Sequence, residues 1–128
     1  MRIVVAASLI DQLVHAAASA PMEEVCGLLF GEPGRIVEAR PAANVAPDRT
    51  ASFEVDPAAL FAAFRAERVG GPRLIGHYHS HPNGLAEPSQ RDLAAAEPGR
   101  IWLIIGGATV RAWLATAGDF HEITLLTD

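Results

Sequence analysis

The chain has 128 residues, of which 50% are hydrophobic and 20% charged, and its formal net charge at pH 7 is -5. This size suits one domain with a single core, and its ten basic residues are scattered, which argues against nucleic acid as a partner. The single cysteine excludes an intramolecular disulfide and a CxxC metal site, so we expect a cytoplasmic protein.

Strands and helices alternate in the first part of the chain. The run from Ile3 to Ala6 predicts a strand, and Ser8 is expected to cap a helix that ends before Pro21. A buried strand is predicted from Val25 to Gly31, and a Glu-Pro-Gly turn connects it to a strand from Ile36 to Arg40. The first part is therefore a strand, a helix and a hairpin.

A loop-like stretch from Pro41 to Ser52 precedes the next elements. Phe53 to Val55 predicts a short strand, and Asp56-Pro57 has the residue order of a helix N-terminus, with the aspartate as cap. The apolar stripe of that helix is expected to comprise Leu60, Phe61 and Phe64.

After Gly70-Gly71-Pro72, the segment RLIGHYHSH predicts a strand. A short helix capped by Ser89 is predicted from Ser89 to Glu97. Three more strands are predicted in the segments IWLIIGG, TVRAWLA and FHEITLL. This order predicts the α/β class, with a mixed central β-sheet flanked by two main helices and a short helix. No apolar run reaches the roughly 20 residues that cross a bilayer, so we expect no membrane partner.

Three histidines, His77, His79 and His81, alternate along the predicted strand RLIGHYHSH. Positions i and i+2 of a strand point the same way with their Cα atoms about 6.6 Å apart, so two imidazoles can bind one Zn²⁺. The spacing leaves two pairs open, His77 with His79 or His79 with His81. Asp92, in the first turn of the short helix, is the best third ligand, and a fourth position stays free for water.

A hydrolytic metal site also needs a general base. Glu23 and Glu24, directly before the second strand, both qualify, and composition does not choose between them. His15 and His121 are expected to be solvated residues outside the site. Cys26 is expected to be a small buried apolar residue.

Two segments, MEEVCGLLFG and GHYHSHPNGLAEPSQRD, together resemble the signature of the JAMM (MPN-plus) metalloproteases. Their shared pattern is Glu-x-x-Gly, then His-Ser-His-Pro, then Ser-x-x-Asp, and NVAPDRTASFEVDP resembles the family's second strand block more weakly. The resemblance implies that residues 1–128 form a single MPN/JAB domain with a cytidine-deaminase-like fold, of the minimal stand-alone prokaryotic type.

The resemblance also implies the role of each matching residue. The zinc ligands that it implies are His79, His81 and Asp92. Glu24 is then the base that activates a water in the fourth position and later protonates the leaving amine. Ser89 helps to stabilise the oxyanion and also caps its helix. His77 lies outside the ligand set, and Ser80 has at most a supporting role.

The function that the resemblance implies is zinc-dependent hydrolysis after the C-terminal Gly-Gly of a ubiquitin-like or sulfur-carrier protein. The expected partners are that C-terminal tail and an E1-like adenylating enzyme of the same pathway, whereas the oligomeric state is not predicted. One alternative is a non-catalytic MPN scaffold, although such domains typically lack a zinc ligand or the glutamate. The other alternative is a RadC-like protein linked to DNA repair. The segment MEEVCGLLFG and the negative net charge argue against this alternative.

Overall fold

A computed structural model describes residues 1–128 and contains seven strands and three helices. The elements are β1 (Arg2–Val5), α1 (Ala7–Ser19), β2 (Cys26–Glu32), β3 (Arg35–Ala42), α2 (Pro57–Arg68), β4 (Arg73–His81), α3 (Gln90–Ala95), β5 (Ile101–Gly106), β6 (Thr109–Thr116) and β7 (Asp119–Thr127). The predicted α/β class, with a mixed sheet, two main helices and a short helix, is confirmed. None of the helices combines the length and apolar character that crossing a bilayer requires.

The strands form one sheet in the order β1-β3-β2-β4-β5-β6-β7, and pairing of β7 with β1 closes it into a barrel. β4, the histidine strand, has a partner on each edge, β2 antiparallel and β5 parallel. His79 lies opposite Cys26 on one side and Ile104 on the other. Main-chain hydrogen bonds therefore fix the backbone of β4 from both sides.

The two main helices begin in different ways. α2 has the predicted cap, because the Asp56 side chain accepts a hydrogen bond from the Ala58 amide at 3.0 Å. The predicted Ser8 cap of α1 is wrong, since this helix starts at Ala7 and its N-cap residue makes no side-chain bond. The Ala7 amide instead donates to the backbone carbonyl of Asp128 at 3.1 Å. This carbonyl takes the role of hydrogen-bond acceptor that was predicted for the Ser8 side chain.

Two further predictions around α2 are wrong. Phe53 to Val55 is not a strand but contributes one bridge, between Val55 and Asn44, because the Asn44 side chain accepts the Glu54 amide hydrogen bond. The stripe of α2 is also rotated, since Phe61 and Phe64 are 68% and 44% exposed and the buried residue is Ala63, whereas Leu60 packs against the core as predicted. Adjacent helical positions differ by about 100° around the axis, so a one-residue error in the stripe turns an aromatic ring to solvent.

Side chains of β4 face both sides of the sheet. Tyr78 packs in the larger core, which includes Leu13 of α1 and Leu103 of β5. His77 and His79 face the opposite side, where their rings contact Trp102. The histidine face of β4 therefore looks away from α1 and toward the loop that precedes α2.

Candidate metal centre

Three side chains converge where β4 ends and α3 begins. The Nε2 atoms of His79 and His81 lie 2.9 Å apart, and each lies 3.2 Å from Oδ2 of Asp92. All three residues are buried. Of the two histidine pairs that spacing left open, only His79 with His81 shares a carboxylate partner in the structure.

Asp92 is held in place by the cap of α3. Its Oδ2 accepts a hydrogen bond from the Ser89 amide at 2.9 Å, and its own amide donates to Ser89 Oγ at 3.1 Å. This reciprocal capping box is formed by a hydroxyl side chain at the cap, Ser89, and an acidic residue three positions later, Asp92. The Ser-x-x-Asp spacing therefore both starts the helix and directs the carboxylate to the histidines, while the Ser89 hydroxyl proton stays free to donate.

The two histidine rings are oriented by different contacts. His81 donates from Nδ1 to the Leu85 carbonyl at 2.8 Å, which leaves its Nε2 as an acceptor. His79 has no partner at Nδ1, and the ring of Phe53 stacks on it with 4.2 Å between centroids and 18° between planes. A hydrogen bond thus fixes one ring and an aromatic contact fixes the other.

The charges of this group call for a cation. Burial opposes ionisation of Asp92, yet its close contacts with the rings of His79 and His81 hold the pKa of its carboxyl well below the ordinary value. In a neutral His81 ring, with its proton on Nδ1, the lone pair of Nε2 would face an anionic oxygen at 3.2 Å, an arrangement that needs a proton or a metal ion between them. Tetrahedral zinc ligands at 2.0–2.1 Å lie about 3.3 Å from one another. Two imidazole nitrogens and one carboxylate oxygen at 2.9–3.2 Å therefore fit Zn²⁺.

Glu24 approaches the same nitrogens from the segment between α1 and β2. One of its carboxylate oxygens and the ring nitrogens of His79 and His81 lie within 4.8 Å of one another. Burial raises the pKa of Glu24 to about 7, although the nearby His81 opposes the shift. Glu23, by contrast, is half exposed and pairs with Arg49 at 3.3 Å. The geometry thus separates the two candidate bases and favours Glu24.

Comparison with known proteins agrees with this arrangement. Residues 6–116 match the family model described as prokaryotic homologs of the JAB domain. The chain belongs to this family. The expected JAMM/MPN-plus membership is thereby confirmed, and the sequence resemblance and the site geometry lead to the same group of proteins.

Named relatives of this prokaryotic JAB protein have related descriptions. It is 33% identical to a desampylase from Haloferax volcanii over 127 residues, which is 94% of this chain and 90% of the relative. It is 39% identical to a probable TtuB-protein conjugate cleaving protease from Thermus thermophilus over 114 residues, 88% of this chain and 74% of the relative. A crystal structure of a JAB1/MPN domain protein from Archaeoglobus fulgidus, 19% identical, covers 98% of each chain with a TM-score of 0.60, which confirms the predicted MPN/JAB fold.

His77 lies beside the candidate metal centre but outside the triangle of His79, His81 and Asp92. Its ring is 4.3 Å from that of Trp102, and both residues line a cavity of about 490 Å³ between β4 and α2. Burial lowers the pKa of His77 to about 3, so the ring is neutral at physiological pH. His77 is therefore one of the aromatic side chains that line this cavity.

Three residues near the site make contacts that the sequence motifs do not reveal. Ser80 accepts a hydrogen bond from the Val25 amide at 2.9 Å, Asn44 donates to the Glu24 carbonyl at 2.8 Å, and Phe53 stacks on His79. Each acts across the fold on a residue far away in the chain. A single sequence contains no record of such contacts.

The remaining predicted bystanders lie where expected. His15, in α1, and His121, in β7, are both exposed. Cys26 is buried with its sulfur facing two backbone carbonyls, and burial raises the pKa of its thiol to about 11. It is therefore unreactive at neutral pH.

Proposed function

We propose that this protein is a zinc-dependent peptidase or isopeptidase that hydrolyses the bond after the C-terminal Gly-Gly of a ubiquitin-like or sulfur-carrier protein. The observation that carries the proposal is the convergence of His79, His81 and Asp92 with the buried carboxyl of Glu24 beside them. The two comparison proteins named for conjugate removal, both at least 33% identical, support the substrate class.

In this mechanism His79, His81 and Asp92 are the zinc ligands, and Glu24 and Ser89 are the catalytic residues. The metal, when bound, polarises the scissile carbonyl and makes water a nucleophile near neutral pH. Glu24 accepts the proton of the attacking water and returns it to the leaving amine, tasks for which a pKa of about 7 is well suited. The hydroxyl group of Ser89 donates a hydrogen bond to the developing oxyanion.

The proposed partners are the extended tail of a ubiquitin-like protein and, in the same pathway, an E1-like adenylating enzyme that activates that tail. A Gly-Gly tail suits a narrow approach because it carries no side chains. We place this activity in the cytoplasm on the basis of the single cysteine. Residues 1–128 are proposed to act as one metalloprotease domain, which the pairing of β1 with β7 and the family match over residues 6–116 support.

The deciding experiment measures zinc content and cleavage together. The substrates are a ubiquitin-like protein extended beyond Gly-Gly by a peptide bond and the same protein linked to a lysine side chain. Glu24→Gln is expected to keep one zinc per chain and to lose about 10²- to 10⁴-fold in kcat. Glu23→Gln is the matched control, because this neighbour lies at the surface, and it should retain wild-type activity.

The outcomes also separate the alternatives. A zinc-loaded wild type without Glu24-dependent cleavage of any ubiquitin-like substrate would contradict the peptidase proposal and favour the non-catalytic scaffold. Salt-sensitive binding to DNA would favour the RadC-like alternative.

A further inference from the structure

Glu24 lies outside the regular elements that fix the zinc ligands. α1 ends at Ser19 and β2 begins at Cys26, so the backbone of Glu24 belongs to neither a helix nor a strand. A base that must reach its proton within a few tenths of an ångström needs rigid support. Something other than a helix or strand must therefore hold this residue.

Both backbone groups of Glu24 are bonded to the loop between β3 and α2. Its amide donates to the Arg49 carbonyl at 2.7 Å, and its carbonyl accepts from Nδ2 of Asn44 at 2.8 Å. The next residue, Val25, is tied to β4 by Ser80, whose Oγ accepts the Val25 amide and whose amide donates to the Val25 carbonyl. The loop thus holds Glu24, and the histidine strand holds its neighbour.

Asn44 organises this loop with its full hydrogen-bonding capacity. Besides the bond to Glu24, Nδ2 donates to the Ser52 carbonyl at 3.1 Å, and Oδ1 accepts from the amides of Ala46 and Glu54, both at 3.0 Å. A side-chain amide offers two donor hydrogens and two acceptor lone pairs, and all four are used here on backbone groups. No other side chain in the loop joins both of its ends to Glu24.

We propose that Asn44 is a positioning residue for the reaction, which sets the place of the Glu24 carboxylate relative to the substrate without touching substrate or metal. This inference rests on the proposed function. A displacement of about 1 Å at a catalytic group can cost on the order of 10²-fold in rate. Loss of the Asn44 contact should therefore lower turnover while the zinc ligands, which belong to β4 and α3, stay in place.

Asn44→Asp is the sharper of two variants. Asn44→Ala removes all four bonds and destabilises the whole loop, whereas Asn44→Asp keeps the acceptor oxygen that holds Ala46 and Glu54. In place of the donor to Glu24 and Ser52 it puts a carboxylate oxygen, which repels those two carbonyls. Gln12→Ala is the matched control, because Gln12 also donates a side-chain amide to a backbone carbonyl, that of Ala39 at 3.2 Å, but joins α1 to β3 and makes no bond to Glu24 or its loop.

The activity measurements are kcat, KM, zinc content and the absorption spectrum of the cobalt-substituted protein. Asn44→Asp is expected to lower kcat about 10- to 100-fold, with KM within about twofold of wild type, one zinc per chain and an unchanged cobalt spectrum. Combined with Glu24→Gln it should cause no further loss, because the group that it positions is already disabled. An unchanged kcat, or a loss of zinc that matches the loss of activity, would overturn the proposal.

Amide hydrogen exchange tests the same idea without any substrate. Asn44→Asp should speed exchange of the Glu24 amide about 10-fold or more, while amides in β4 and β5 stay protected. If the wild type cleaves nothing but Asn44→Asp still speeds exchange of the Glu24 amide, the proposed function is refuted and the positioning of Glu24 by Asn44 is supported. If the Glu24 amide stays as protected as in wild type, the positioning role is refuted whatever the activity.

Discussion

Glutamine at position 24 should stabilise the metal-free protein at alkaline pH and have little effect in acid. The ordinary pKa of 4.5 applies to the Glu24 carboxyl in the unfolded chain, and burial raises its pKa to about 7 in the folded state. The folded protein therefore holds this proton more tightly. The stability that this preference contributes is complete below pH 4.5 and is lost as the pH rises through 7.

The size of the effect follows from that difference in pKa. One pKa unit corresponds to about 1.36 kcal/mol, so 2.5 units give about 3 kcal/mol as the largest penalty for ionising Glu24 in the folded chain. Glutamine has a similar shape and does not ionise. The free energy of unfolding of Glu24→Gln should thus exceed that of wild type by up to about 3 kcal/mol at pH 8.5 and by much less near pH 4.5.

Urea unfolding of chelator-treated protein between pH 4.5 and 8.5 measures this difference. Glu23→Gln changes the half-exposed neighbouring carboxyl, and its free energy of unfolding should depend on pH as that of wild type does. The histidines are common to all three proteins, and among them the pKa of His81 loses the contribution of the Glu24 charge in Glu24→Gln. A Glu24→Gln difference that is the same at both ends of the pH range would refute the assignment of a buried, proton-binding carboxyl.

Three further expectations concern the metal and its supports. His77→Phe should retain one zinc per chain by elemental analysis, while His79→Ala should lose it; loss of zinc from His77→Phe would overturn the ligand set. Ser89→Ala should lower stability by about 1 kcal/mol and zinc affinity about 10- to 100-fold by titration, with Ser89→Thr restoring both. Zinc at 100 times its Kd should stabilise the protein by about 2.7 kcal/mol in thermal melts, an effect that Asp92→Asn should abolish.

Much of the fold could be predicted because local rules determine it. Proline and glycine mark the ends of α2, and the Asp56-Pro57 start of this helix obeys the cap preferences of any helix. The histidine strand has the predicted bounds, Arg73–His81. Two of the features that failed, the α1 cap and the short strand before α2, depend on partners elsewhere in the chain, Asp128 and Asn44.

The site divides in the same way. His79, His81 and Asp92 are close in sequence, and strand alternation with a helix cap brings them together. Spacing alone could not choose between Glu23 and Glu24, because their difference arises from burial after α1 has packed against the barrel. The motif resemblance supplied that choice, whereas the contacts of Asn44 and Phe53 required the three-dimensional structure.

The two parts of the site also differ in how they respond to heat. The proposed ligands on β4 are anchored in a strand that is paired on both edges, and opening it requires disruption of the barrel. Glu24 depends on a few hydrogen bonds from an irregular loop, a kind of segment that opens at a lower free energy than the core. On warming, the protein should therefore pass through a range of temperature in which it is folded and still binds metal but is catalytically inactive. Cooling from this range should restore its activity.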